Sequence, residues 1–391
     1  MERGLFRGIG INILLLGIVS FLTDLSSEMM MPILPMFITA LGGTAFVVGL
    51  IGGLGDSIAS ILKVFSGYWS DRYGRRKPFV FSGYAVSSLA KLFLAFSTLW
   101  QHVLILRSVE RVGKGLREAP RDAIIADSAL TEVRGTAFGI HRAMDTAGAI
   151  GGSLLAFLLF WFLGLEFKTI ILTCAIIAFF ALIPFYRVRE AKREPQEIGL
   201  SISFKVLPRR LKGFVLIATI FALGEFTYMF FILRAQDFFT GVVSERAAFA
   251  IPILLYVLYN TVYALFSIPS GMLSDRIGRC RVLLLGYSLF GLTCLGFAFL
   301  DSLAAFIVLF AFYGLVYALV EGTQRAFVSD LASEELRGTA LGTFHTCIGL
   351  AALPASLIAG ALWQHIDPWA TFVYGCALGL IAAVLLKVWL R

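Results

Sequence analysis

Eight ionisable side chains crowd into sixteen consecutive positions of this chain: Arg107, Glu110, Arg111, Lys114, Arg117, Glu118, Arg121 and Asp122. At about 100° per residue of an α-helix all eight fall within an arc of roughly 140°. Ile105, Val109, Val112, Leu116, Ala119 and Ala123 take the other side. A charge at the centre of a bilayer costs about 2.5–3.5 kcal/mol. If the helix spans a membrane, its charged face must look into a bundle interior or a water-filled passage.

Partners of opposite sign stand in neighbouring apolar stretches. Asp24 and Glu28 are four apart and share a helical face with Ser20 and Ser27; Asp56, Lys63, Lys91, His141, Arg142 and Asp145 follow. A carboxylate that alternates between an arginine and a dry environment changes its proton affinity with each movement. That makes Asp24, Glu28, Arg107 and Glu110 proton-coupling candidates, with Glu225 and Glu321 their counterparts later in the chain. Arg111, His141 and Asp145 are candidates for the wall of a passage. The second half is more aromatic: Tyr313, Tyr317, Glu321 and Arg325 recur every four residues, Tyr256, Tyr259, Asn260 and Tyr263 form one stripe, and Tyr228 follows Glu225. Tyrosine walls with a few polar groups suit a partly apolar organic solute, so Tyr228, Tyr256, Tyr259, Asn260, Tyr317 and Arg325 join the cavity candidates. His141 and Asp145, four apart, read as a polar pair or proton relay rather than a metal site; no metal or other cofactor is expected.

These residues need long helices to hold them. Of the 391 residues 59% are hydrophobic and 15% charged, and mean hydropathy is +0.86. A soluble globular chain is nearer half apolar and about a quarter charged. Disorder is excluded and the excess apolarity runs throughout, which indicates a polytopic, all-α membrane protein. Twelve helix-length runs lie near 10–38, 45–66, 78–98, 101–129, 135–162, 167–187, 213–239, 247–270, 281–300, 302–330, 338–363 and 368–389. The first is read as an uncleaved helix rather than a signal peptide. The five cysteines are odd in number and show no ligand spacing.

Basic residues cluster in alternate loops: Arg72, Arg75, Arg76 and Lys77; Arg187, Arg189, Lys192, Arg193, Lys205, Arg209, Arg210 and Lys212; Arg276, Arg279 and Arg281; and both ends, with Arg3, Arg7, Lys387 and Arg391. The intervening loops are nearly free of bases. Both termini and the basic loops are therefore expected in the cytoplasm of a cell with an inner membrane. The net charge of +8 has this explanation, and no nucleic-acid partner is expected. The long polar stretch divides the chain into 1–187, a linker 188–211, and 212–391.

The two halves repeat one another. Gly67-Tyr-Trp-Ser-Asp71-Arg72-Tyr-Gly74-Arg75-Arg76 returns 204 residues later as Gly271-Met-Leu-Ser-Asp275-Arg276-Ile-Gly278-Arg279-Cys. Asp127 and Arg134-Gly-Thr-Ala-Phe-Gly return at 203 as Asp330 and Arg337-Gly-Thr-Ala-Leu-Gly. A parallel duplication of six spans suits the rocking of two bundles around a central site. The repeated pattern resembles the signature loop of the major facilitator superfamily, and the resemblance covers the whole chain. It implies two pseudo-symmetric six-helix bundles and a secondary active transporter with alternating access. It also implies a cytoplasmic gate of Gly67, Asp71, Arg72, Gly74, Arg75, Arg76 and Asp127, mirrored by Gly271, Asp275, Arg276, Gly278, Arg279 and Asp330. Such aspartates and arginines can pair across the bundle interface. Arg107 with Gly113 and Gly115 resembles the span-four pattern of drug–proton antiporters, with Glu110 in place of a glutamine. Gly148-Ala-Ile-Gly151-Gly152 resembles their span-five pattern without its proline.

The best-supported function from sequence is proton-coupled export of small amphiphilic or drug-like solutes by a monomer in contact with lipid and protons. An organic-anion transporter using the basic face of span four, and a transport-inactive receptor or lipid-interacting scaffold, are the alternatives. No phosphate-binding loop, nucleophile elbow or HExxH motif occurs, so an enzyme or ATP-driven pump is not expected.

Overall fold

In a computed structural model of the 391-residue chain, residues 10–130, 133–190, 204–333 and 336–389 are described. Arg3, Arg7, Lys192, Arg193, Arg391, the side chain of Lys205 and most of the expected linker lie outside them. Fifteen α-helices occupy the described residues: α1 (Ile11–Met30), α2 (Leu34–Ala40), α3 (Ala45–Tyr73), α4 (Lys77–Leu94), α5 (Trp100–Asp127), α6 (Arg134–Trp161), α7 (Phe167–Phe180), α8 (Leu182–Tyr186), α9 (Arg209–Gly224), α10 (Met229–Phe239), α11 (Glu245–Ile277), α12 (Arg279–Phe299), α13 (Leu303–Leu331), α14 (Arg337–His365) and α15 (Pro368–Trp389).

Among the described residues ten stretches are long and apolar enough to cross a membrane, α7–α8 and α9–α10 each counting as one. The third and fourth of the twelve expected spans are present as α4 and α5 but fall outside that test. Serines and lysines dilute α4, and the charged face of α5 removes it. Two expected spans are not continuous. The first breaks at Met31-Pro32-Ile33, where proline supplies no N–H to the helix. The seventh breaks over residues 225–228. The orphaned groups there find partners: the Thr227 N–H donates to Ser356 Oγ at 3.1 Å, and the Leu223 carbonyl accepts from the Tyr374 hydroxyl at 2.6 Å.

The chain forms two compact units, Met1–Ile33 with Ile61–Leu200, and Leu34–Ser60 with Ser201–Arg391. The grouping follows contacts rather than chain order. The chain leaves the first unit at the proline break and re-enters it in the middle of α3. Residues 34–60 pack with the second unit because the first half of α3 lies almost backbone to backbone on α14. A Cβ on Gly49 would collide with the Ser356 carbonyl oxygen, and Ser57 Oγ donates to the Gly349 carbonyl at 2.5 Å.

In the first unit α1 packs on α6 and α4 on α5. Small residues set both approaches. A Cβ on Gly148 or Gly152 would strike the carbonyl oxygens of Phe21 and Leu25, and one on Gly113 would meet the Gly83 carbonyl oxygen at 2.5 Å. At the basic-loop end Ile13, Leu16, Tyr84, Ile124, Ile125 and Phe185 close an apolar core. The second unit is built around aromatic rings, with Phe226, Phe231, Phe297 and Phe372 in mutual contact at centroid distances of 4.9–5.7 Å.

Candidate functional site

The charged face of α5 is turned inward. Arg107 is 2% exposed and Glu110 1%, whereas Ile105 on the opposite side is 62% exposed. A buried charge is tolerated only with partners, and α5 finds most of its own. Arg107 Nη1 donates to Glu110 Oε2 at 2.7 Å, one turn along the same helix, and Arg107 Nη2 reaches Met31 Sδ at 3.2 Å. Glu118 takes Lys63 at 3.0 Å and Lys114 at 3.7 Å. Arg121 binds Asp122 at 2.9 Å. Arg117 donates to Ser87 Oγ at 2.7 Å and lies 4.7 Å over the Tyr84 ring. Arg111 is buried on the same face.

Arg107, expected with Arg111 as a competing partner of Asp24 or Glu28, is held by Glu110 and Met31. Asp24 faces α6, where its carboxyl hydrogen-bonds that of Asp145. Asp145 also accepts from Ser20 Oγ at 2.7 Å and pairs with Arg142 at 2.9 Å. The close α1–α6 approach at Gly148 and Gly152 brings the two acids together. Glu28 stands one turn further along α1. The expected His141–Asp145 pair is not formed: His141 is 4% exposed, and its Nε2 has no hydrogen-bond partner among the described residues.

Lys91 was read from sequence only as one more charge. It is fully buried on α4 and donates to Ser26 Oγ and Ser27 Oγ, each at 2.8 Å. A mid-span lysine was the available signal; its serine partners, on another helix, could not be read.

The repeated loops form similar arrangements, one in each unit, but through arginines one position apart in the repeat: Arg279 is the counterpart of Arg75, and Arg76 that of Cys280. Gly74 and Gly278 have φ of +63° and +96°, which a side chain would strain. Arg76 binds Asp71 at 2.7 Å and also Asp127; Arg279 binds Asp275 at 2.5 Å and Asp330 at 3.2 Å. Each arginine thus ties a helix–loop turn to the end of α5 or α13 within its own unit. The Glu190 carboxylate accepts from the backbone N–H groups of Arg76 and Lys77, capping α4. Arg72 donates to the Tyr68 hydroxyl at 2.8 Å. Arg75 and Arg276 are exposed and have no partner among the described residues. A Cβ on Gly67 would lie 3.3 Å from Ala119 Cβ, and one on Gly271 would meet nothing within 4 Å.

In the second unit the tyrosines gather. Tyr256 lies 5.5 Å from Tyr228 and 5.3 Å from Tyr259; Tyr259 lies 4.9 Å from Tyr313 and 5.5 Å from Tyr317. Asn260 is buried beside Tyr259 on α11. Glu225 sits in the unwound turn between α9 and α10 and is hydrogen-bonded by Tyr317. Glu321 pairs with Arg325 and accepts from the Tyr263 hydroxyl. Tyr263 and Tyr313 were not among the cavity candidates, although the stripes that carry them were visible.

A family model, Major Facilitator Superfamily, matches residues 16–254 and 214–391. The chain belongs to the major facilitator superfamily. It is 52% identical over 382 residues to an uncharacterized MFS-type transporter of Methanocaldococcus jannaschii, covering 97% of this chain and 95% of that one. It is 23% identical over 384 residues to multidrug resistance protein MdtH of Aeromonas hydrophila, covering 95% and 93%. Its fold is similar to that of the nucleoside transporter NupG, with a TM-score of 0.81, 14% identity and coverage of 97% and 99%. The expected family is thus shown, and with it a multi-pass membrane transporter that takes a small-molecule substrate.

Proposed function

We propose that this family member exports small amphiphilic or drug-like organic solutes in exchange for protons, with its termini and basic loops in the cytoplasm. The observation that carries the proton role is the Asp24–Asp145 carboxyl pair between α1 and α6. While the pair holds its proton, it bonds the two helices. When the proton leaves, two carboxylates face each other; at 4 Å and an effective dielectric of 20 their repulsion is about 4 kcal/mol. Arg142, half-exposed beside Asp145, can take up the freed charge. Proton binding is thereby converted into a force on helix packing. The similarity to MdtH supports the drug-like solute class. The organic-anion reading has less support, because Arg107, Lys114 and Arg121 on α5 are already paired with acids.

The test is solute-driven pH change in proteoliposomes, with Asp24→Asn and Asp145→Asn. The expected result is solute-dependent proton movement in the wild type and at least tenfold less in either variant, with solute binding retained. Full coupling in both variants removes the pair from the mechanism. The absence of both proton movement and uptake of any binding solute favours the scaffold alternative.

A further inference from the structure

An ionisable group inside a membrane helix bundle ordinarily has a partner of opposite charge. Glu225 departs from this. It lies where the seventh span unwinds, the kind of site at which transporters place ligand groups. Among the described residues its hydrogen bond comes from a neutral phenol, Tyr317, and the charges that act on it are the acids Glu321 and Asp56. The nearby base, Arg325, is bound by Glu321. Among the described residues, Glu225 thus has two acids and no base acting on it.

The surroundings are aromatic. Tyr256, Tyr259, Tyr313 and Tyr317 from α11 and α13 stack face to face or edge to face, with Tyr228 from the start of α10 against Tyr256. Tyr313 is 1% exposed, and its hydroxyl closes no well-formed hydrogen bond, although the Tyr317 phenol approaches it. A buried hydroxyl without a partner marks a place for one. Aromatic rings attract cations through their negative faces, most strongly where water is excluded. An anion would meet the carboxyls of Glu225, Glu321 and Asp56 here, whereas a cation stabilises an ionised carboxylate opposite it.

We infer that the second unit binds the transported solute as an organic cation, its charge at Glu225 and its apolar groups against Tyr228, Tyr256, Tyr259 and Tyr317. This rests on the transport reading above and names the substrate class for it. The probes are tetraphenylphosphonium and tetraphenylborate, alike in shape and opposite in charge. Their binding to the purified full chain in detergent is measured by equilibrium dialysis at one fixed pH. The wild type is expected to bind the cation at least tenfold more tightly than the anion. Glu225→Gln is expected to cost tenfold or more in cation affinity and nothing in anion affinity, and Tyr259→Leu severalfold in cation affinity. Thermal melting confirms that each variant is folded. Anion binding as tight as cation binding, binding of neither, or cation affinity within twofold of wild type in both variants overturns the inference. Cation binding that depends on Glu225 without proton movement in liposomes supports it and removes only the coupling. Proton movement that fails in Glu225→Gln while cation affinity stays normal makes Glu225 a proton carrier and overturns it.

Discussion

α5 and α13 occupy equivalent places in the internal repeat and end in equivalent aspartates, Asp127 and Asp330, yet their interiors differ in kind. α5 buries Arg107, Glu110, Arg111 and Arg117; α13 buries Tyr313, Thr323 and Gln324. The turns and an arginine tie to each aspartate recur in both copies, through arginines one position apart in the repeat, while the middles of the helices diverged. Charges at a helix end pair in the same way in either copy, since solvent is near and the geometry is local. Charges at mid-helix must each be answered by another element, so they persist only where a function uses them. The first unit thus buries charge along this helix, and the second buries aromatic and uncharged polar groups.

The contrast is sharpest in the Arg107–Glu110 pair. Glu110→Ala leaves a buried guanidinium without its carboxylate and is expected to cost about 3–5 kcal/mol. Arg107→Met with Glu110→Leu should restore most of that. Thermal unfolding in detergent measures both, and a double variant no better than the single would show that the pair is not the unit of stability. A second comparison lies within α6. Gly148→Ala drives a methyl into the Phe21 carbonyl and should lose about 1–3 kcal/mol. Gly139→Ala has nothing within 4 Å and should gain about 0.5–1 kcal/mol from helix propensity. Equal effects at both sites would deny that small residues set the α1–α6 distance. The smallest effect compares the two loop ties. Asp127 is 23% exposed and Asp330 54%, so Asp127→Asn should cost about 1 kcal/mol and Asp330→Asn less than about 0.5 kcal/mol after solvent screening. The reverse order of melting temperatures would break the argument from exposure.

The amino-acid sequence alone determined the helices, the duplication, the two arginine–aspartate loops and the inward face of α5. Each follows from a local pattern: apolar length, a repeat offset of 203 or 204, or charge periodicity set against the cost of burial. Partners were decided by the tertiary structure. Charge periodicity says that Arg107 is buried, but it does not choose between Asp24 on α1 and Glu110 one turn away. That choice depends on how α1, α5 and α6 are rotated and spaced. Asp24 meets Asp145 across 121 positions because glycines let two backbones nearly touch, and Lys91 reaches Ser26 and Ser27 on α1 from another helix, α4. The break at Glu225 was equally hidden, since its freed backbone groups are answered by Ser356 and Tyr374 from distant helices. Local patterning fixes which side of a helix is wet or buried; only packing in three dimensions decides which group stands opposite.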